Sequence, residues 1–273
     1  MRNRNSLSIG LLYFDTPIEK LNSTIESTIA AVKRAQSMGL LATCTMYLLD
    51  NSPEETLLIP EIETRISRDG IVFKFIRNEG NIGFARAHNI AIAESRDNFH
   101  LVLNPDVEID TFAITEGIKF LEENIDCSVA SPKGLDRNGN NLYLAKSYPS
   151  LFSLFLRGVR GKTNLFARLL SKYECHQLYQ TQKPEKILIA SGCFMLCRLQ
   201  HLKNIGGFDE RFFLYFEDFD LSLRIRSEGN VYWLPSMLIF HSGGHTINKG
   251  ISHIFLFLKA GLRFFRLHGW KLI

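Results

Sequence analysis

The chain has 273 residues, 45% of them hydrophobic and 22% charged, with a formal net charge of +4. This composition excludes a disordered or collagen-like protein, and the length suits one large α/β domain or a nucleotide-binding half joined closely to a second half. The five cysteines (Cys44, Cys127, Cys175, Cys193 and Cys197) form no CxxC pair. That argues against a disulfide framework or a zinc ribbon and favours a reducing cytoplasm.

The start of the chain is polar, and the apolar run over residues 9–14 is too short for the core of a secretory signal. Residues 7–14 read as a buried strand. Ile18, Leu21, Ile25, Ile29 and Val32 then recur at three- and four-residue steps, which predicts an amphipathic helix ending near Gly39. Pro17 is placed to open that helix after a Thr16 cap. Residues 45–49 form a second predicted strand, closed by the turn Asp50-Asn51-Ser52-Pro53. A strand over 71–76, a helix over 84–95, a strand over 99–103 and a helix over 112–124 follow.

This alternation predicts an α/β fold with a mainly parallel sheet flanked by helices. Ligands of such sheets collect beyond the carboxyl ends of the strands. The second half is less regular. It offers a strand over 187–197, a helix from Glu217 to Gly229, and short strands over 231–234 and 238–240.

Four polar clusters lie at or near strand ends. Asp50 can accept hydrogen bonds from a base or a ribose, although a turn and helix cap uses the same residues. Between Arg77 and Asn89 two glycines and several asparagines lead from a strand into a helix. Glycine permits close backbone approach to a ligand, and a helix start favours an anion. The spacing is neither GxGxxG nor a Walker loop, which disfavours dinucleotide and P-loop chemistry.

Asn104-Pro105-Asp106-Val107-Glu108-Ile109-Asp110 sets acids directly after a buried strand, where they suit a divalent cation or a solvated loop. The last cluster is Glu217-Asp218-Phe219-Asp220, preceded by aromatic residues. A carboxylate walled by apolar rings can hold a raised pKa and act as a base. In a helix starting at Glu217, Glu217 and Asp220 share one side and Asp218 points elsewhere. His241 follows near the end of a later apolar stretch.

In this order the clusters resemble family-two glycosyltransferases of the GT-A fold. The resemblance runs over roughly residues 7–245. It rests on Asp50, Asn81-x-Gly83-Phe84 with Asn89, Asn104-Pro105-Asp106-Val107, Ser191-Gly192, Gly207-Phe208-Asp209-Glu210, Phe216-Glu217-Asp218-x-Asp220 and His241. The Asn-Pro-Asp-Val form is similar to bacterial rhamnosyltransferases of polysaccharide assembly, which use dTDP-L-rhamnose.

The resemblance implies an inverting transfer of a sugar, L-rhamnose above all, to a lipid-linked or polysaccharide acceptor in O-antigen or capsule synthesis. It implies that Asp50, Arg77, Asn81, Gly83, Asn104 and Asp106 hold the nucleotide-sugar. Asp106 and His241 would hold Mg²⁺ or Mn²⁺. Asp218 resembles the catalytic base, with Glu217 beside it to orient the acceptor. Asn104 stands where the family's D-x-D motif begins with an acid, so the charge offered to a metal is reduced. A catalytically silent nucleotide-sugar-binding subunit therefore stays open as an alternative, as does a UDP-hexose donor.

Charge is segregated along the chain. Residues 137–173 carry seven Lys or Arg and no acid, and residues 229–273 carry five and no acid. The first segment begins with the apolar run 151–156 and continues to Arg160, Lys162, Arg168 and Lys172. In the tail, Ile254, Phe255, Phe257, Leu258, Leu262 and Phe265 accompany Lys259, Arg263 and Arg266 at helical spacing. Apolar bulk beside a basic stripe suits an interfacial helix, in preference to a helix packed on the body or on a second subunit. No nucleic-acid motif accompanies these segments, so nucleic acid is not an expected partner.

The expected organisation is a nucleotide-sugar half over 1–125, an acceptor and catalytic half over 126–250 and a basic amphipathic tail over 251–273. The expected location is cytoplasmic, peripheral on the inner face of the cell membrane. The oligomeric state is left open.

Overall fold

The computed structural model describes residues 5–54, 57–159, 164–241 and 251–272. Arg160, Lys162 and Lys249 lie outside the described residues. The first half alternates strand and helix: β1 (Asn5–Tyr13), α1 (Ile18–Ser37), β2 (Leu41–Asp50), α2 (Ile59–Arg68), β3 (Val72–Arg77), α3 (Phe84–Glu94), β4 (Phe99–Leu103), β5 (Val107–Ile109) and α4 (Ala113–Glu123). The second half contains β6 (Cys127–Leu135), β7 (Asn141–Leu142), α5 (Leu151–Val159), α6 (Asn164–Tyr173), β8 (Glu185–Ile187), β9 (Phe194–Arg198), α7 (Leu199–Asn204), α8 (Glu217–Arg224), β10 (Asn230–His241) and α9 (Ile251–His268).

The periodic apolar residues of α1 do what their spacing predicts. Leu21, Ile25, Ile29 and Val32 are buried beside Leu7, Ile9 and Leu11 of β1. Ile18, at the first position of α1, is exposed. Pro17 rather than Thr16 is the residue before the helix, and the Thr16 hydroxyl donates instead to the Phe14 carbonyl. The helix α2 carries only two buried apolar residues, Ile62 and Ile66, too few to register as a period. The strand expected over 187–197 divides into β8 and β9, which pair with different strands. The two short strands expected after 230 are one long strand, with a register irregularity between Leu234 and Leu238. The helix expected to run to Gly229 ends at Arg224, and a 3-10 turn over Ile225–Ser227 follows.

One sheet runs through both halves in the order β3-β2-β1-β4-β9-β6-β10-β5. Its first four strands are parallel. Beyond β4 it is mixed, because β9 enters antiparallel to both β4 and β6. Strand directions decide what reaches the rim at the carboxyl ends. Tyr13, Asp50 and Arg77 are level with one another at the ends of β1, β2 and β3. Leu103, the last residue of β4, pairs with Phe194, the first residue of β9. The residues just before β9 therefore arrive at the rim that the parallel strands reach with their carboxyl ends. On the far side His241, the last residue of β10, pairs with Val107, the first residue of β5. The order reverses between β1 and β4, where an open α/β sheet forms its ligand crevice.

Candidate active site

The end of the rim formed by β1, β2 and β3 is a tight polar lattice. Asp50 is fully buried; its carboxylate accepts from the Ser52 amide at 2.8 Å and from the Arg77 guanidinium at 3.2 Å. Asn51 donates to Asn81 Oδ1 and to the Gly83 carbonyl, each at 3.3 Å, and accepts from Asn78 at 2.8 Å. Asn81 Oδ1 also accepts the Gly83 amide at 3.0 Å. Gly83 has φ +90°, and a Cβ there would lie 2.7 Å from the Phe213 carbonyl oxygen. That oxygen accepts the Phe84 amide at 3.0 Å. The glycine is thus required twice, for its conformation and for the approach of the 213 loop.

Asn89, one turn further along α3, grips the same loop. Its amide side chain accepts from the Phe208 N–H at 2.8 Å and donates to the Phe208 carbonyl at 2.9 Å. Arg224 holds the other side of that loop by donating to the carbonyls of Ile205 and Gly207 at 2.9 and 2.8 Å.

At the middle of the rim Asp106 lies 3.1 Å from His241 Nε2. Burial opposes ionisation of Asp106. The hydrogen bond and charge of His241, with Lys20 of α1, outweigh it and keep the carboxyl below its ordinary value. Lys20 bears no motif and was not legible as part of the site; its only signal was a basic residue soon after the first strand.

Among the described residues no group of three or more His, Cys, Asp and Glu is gathered for a metal. The pair Asp106 and His241 nonetheless fits a cation that takes few protein ligands and completes its shell with phosphate and water.

A second group of polar residues is built around α8. Asp218 Oδ2 accepts the Gly192 amide at 2.9 Å, and Oδ1 accepts the Phe219 amide at 3.0 Å. A Cβ on Gly192 would lie 3.2 Å from the Asp218 Cβ, so glycine lets the segment before β9 close on the carboxylate. The next residue, Cys193, accepts the Asn104 amide at its carbonyl, at 3.0 Å. Residues 192 and 193 therefore link the Asn104–Asp106 segment to Asp218 through one hydrogen bond on each side. Burial raises the Cys193 thiol to about 12, and both Asp106 and Asp218 lie near enough to push it in the same direction.

Glu217 and Asp220 are buried and Asp218 is half-buried, in line with the expected division of the helix faces. Glu217 Oε2 has no hydrogen-bond partner among the described residues. Burial, and then the charge of Asp218, raise the Glu217 carboxyl well above its ordinary value. Asp220 has a different role. Its carboxylate pairs with Arg224 at 2.7 Å and with His268 of α9 at 2.8 Å. His268 was not singled out in the sequence, where a histidine in an acid-free tail carries no signature.

Immediately before α8, Tyr215 and Phe216 take φ of 71° and 64°. Left-handed backbone at a bulky residue costs about 1–3 kcal/mol and persists only where the surroundings over-determine it.

The model of glycosyl transferase family 2 matches residues 19–206 of the chain. An N-acetylglucosaminyl-diphospho-decaprenol L-rhamnosyltransferase of Mycobacterium tuberculosis is 28% identical over 206 residues, which cover 70% of this chain and 66% of that protein. The chain thus spans just under two thirds of the length of that relative. The rhamnosyltransferase WbbL of Escherichia coli K12 is 25% identical over 195 residues, covering 68% of this chain and 70% of WbbL. Among solved structures, GalNAc-T7 with UDP, GalNAc and Mn²⁺ has a TM-score of 0.68 at 16% identity, over 97% of this chain and 48% of that one. S. aureus TarS 1–349 has a TM-score of 0.58 at 15% identity, over 96% and 73%. These likenesses establish the fold, an α/β GT-A sheet flanked by helices.

Proposed function

Because the chain belongs to glycosyl transferase family 2, we propose that it moves L-rhamnose from dTDP-L-rhamnose, with inversion, onto a lipid-linked or polysaccharide acceptor in cell-surface glycan synthesis. The observation that carries this reading is the short connection through Gly192 and Cys193. It brings the Asp106–His241 pair and Asp218 to one rim of the sheet from segments far apart in the chain. The rhamnosyl donor is supported by two relatives named as rhamnosyltransferases.

In this reading residues 1–125 supply the nucleotide side and residues 126–250 the acceptor side. Asp50, Arg77, Asn81 and Gly83 bind the nucleotide. Asn104 and Asp106 lie along the sugar diphosphate. Asp106 and His241 hold Mg²⁺ or Mn²⁺, which supplies charge neutralisation of the departing diphosphate. Asp218 accepts the proton of the acceptor hydroxyl. The oxygen of that hydroxyl bonds to the anomeric carbon from the face opposite the diphosphate, and the bond from that carbon to the diphosphate oxygen breaks. Glu217, whose carboxyl is raised by burial and then by the charge of Asp218, orients the acceptor beside the base. A lipid-linked acceptor fits a chain seated at the inner face of a membrane. Among the described residues no helix is long and apolar enough to cross one.

The test is a calorimetric donor panel of dTDP-rhamnose, UDP-glucose, UDP-galactose and GDP-mannose, with and without Mn²⁺. Selective, metal-dependent binding of dTDP-rhamnose is the expected result. A UDP-sugar binding in its place overturns the donor and keeps the enzyme class. Asp218→Asn is expected to retain donor binding and to lower turnover by roughly 10²-fold or more, as loss of a general base does. Turnover near wild type in that variant sinks the role of Asp218. A chain that binds a donor and neither transfers nor hydrolyses it is a silent subunit.

A further inference from the structure

The helix α9 has two faces with different partners. On the inner face Phe257, Phe264 and Phe265 pack against Phe212, Phe216 and Phe219. The Phe216 ring lies 5.1 Å from Phe257 and 5.3 Å from Phe264, and a Cβ on Gly261 would sit 3.4 Å from the same ring. Two polar ties bracket this packing. The Tyr215 hydroxyl meets His253 Nδ1 at 2.9 Å near one end of α9, and His268 Nε2 meets Asp220 Oδ1 at 2.8 Å at the other. Tyr215 and Phe216 are both in left-handed backbone, and Glu217 and Asp218 come next. The last helix therefore over-determines the turn that presents the acceptor-side carboxylates.

The outer face of α9 is apolar and lacks a cover among the described residues. Ile254, Phe255, Leu258 and Leu262 are exposed by 60, 66, 58 and 47%. Residues 254, 258 and 262 form one row along the helix that the exposed Arg266 continues, and the exposed Lys259 lies beside it. Between residues 229 and 273 the chain has no Asp or Glu, so nothing on this segment opposes approach to a negative surface. Beyond the helix Trp270, stacked on Phe265, and Leu272 are exposed, and the Leu151 amide of α5 bonds the Lys271 carbonyl at 2.9 Å. Basic and apolar residues on one face of a helix match the headgroup region of an anionic bilayer.

We propose that α9 seats on an anionic lipid surface by its outer face, and that this seating tightens the Tyr215–Phe216 turn beneath it and with it Glu217 and Asp218. The consequence for catalysis rests on the transferase reading; the seating and the tightening do not, and are measured without a sugar donor.

The experiment is hydrogen exchange by mass spectrometry on the full chain, with vesicles of phosphatidylglycerol and phosphatidylcholine and with phosphatidylcholine vesicles alone. With the anionic vesicles, peptides over 253–268 and over 211–224 are both expected to exchange several-fold more slowly. The neutral vesicles are expected to change neither. Leu258→Glu with Leu262→Glu is expected to abolish cosedimentation with vesicles and both protections while leaving the melting temperature unchanged. His268→Asn is expected to keep cosedimentation and protection of α9 while losing most of the protection over 211–224.

Protection confined to α9 in the unaltered chain overturns the coupling. Failure to bind anionic vesicles overturns the seating. So does a dimer in solution that Leu258→Glu with Leu262→Glu dissociates, since the outer face then belongs to a second copy. A failed donor panel, with these protections intact, removes the transferase reading alone.

Discussion

Lowering the pH from about 7.5 to about 5 is expected to weaken the fold through two buried histidines, His88 of α3 and His100 of β4. Both are fully buried between α3 and the sheet. His100 Nδ1 meets the Ser8 hydroxyl at 2.8 Å, while His100 Nε2 and both His88 nitrogens have no hydrogen-bond partner among the described residues. The space is closed by Gly10 of β1, where a Cβ would lie 2.9 Å from His88 Nδ1. Burial lowers each ring from 6.5 to about 3, assisted at His88 by His100 and at His100 by Lys203.

A base with a depressed folded pKa binds fewer protons folded than unfolded. Its neutral form is accommodated above about pH 6.5, and stability is lost as the pH falls from there toward 3. At about pH 5 the loss is about 2 kcal/mol per ring. Glu217 acts with the opposite sign. Its raised pKa means that the folded state holds its proton more tightly, so its contribution is present at low pH and lost as pH rises.

The informative measurement is therefore a difference. Urea unfolding of the natural chain and of His88→Leu at both pH values cancels Glu217 and leaves His88. His88→Leu is expected to lose about 2 kcal/mol less between about pH 7.5 and about pH 5 than the natural chain does. At the higher pH it is expected to be close to neutral, since it removes two unpaired polar atoms and keeps the volume. An equal loss in both proteins refutes the reasoning.

Three further substitutions test the site. Gly83→Ala forces a side chain into left-handed backbone against the Phe213 carbonyl; a destabilisation of about 1–3 kcal/mol in denaturant titration, with weaker donor binding, is expected. Asn89→Ala strips the Phe208 amide and carbonyl of their partners and is expected to lower stability by about 1–3 kcal/mol, read from the urea midpoint. Gly192→Ala presses on the Asp218 Cβ; it is expected to leave donor affinity unchanged and to reduce turnover by roughly 10-fold to 10²-fold, the scale for a displaced catalytic group.

The α/β class, the parallel first half and the order of polar residues at its strand ends were legible in the sequence. They follow from local patterns: apolar steps of three and four in α1, short buried strands, and turns rich in Asn, Asp and Gly. The strand β6 was not legible. Its sequence, CSVASPKGL, mixes Ser, Pro and Gly into a strand with most of its residues buried, so local propensity reads it as loop. The strand β5 was hidden inside an acidic stretch because it is only three residues long.

The candidate site divides in the same way. The residue types at Asp50, Asn81, Asp106 and Asp218 could be named from their neighbours in the chain. Their partners could not. His241 reaches Asp106 only because β5 runs antiparallel to β10. Gly192 reaches Asp218 only because β9 runs against β4 and brings its amino end to the rim. The clasp of His268 on Asp220 depends on α9 folding back over α8. The chain by itself determined which chemical groups stand at the ends of which elements, since that is a matter of neighbours in sequence. The tertiary structure decided which of those groups meet and how dry their surroundings are, because strand direction and burial are set by pairings between residues far apart in the chain.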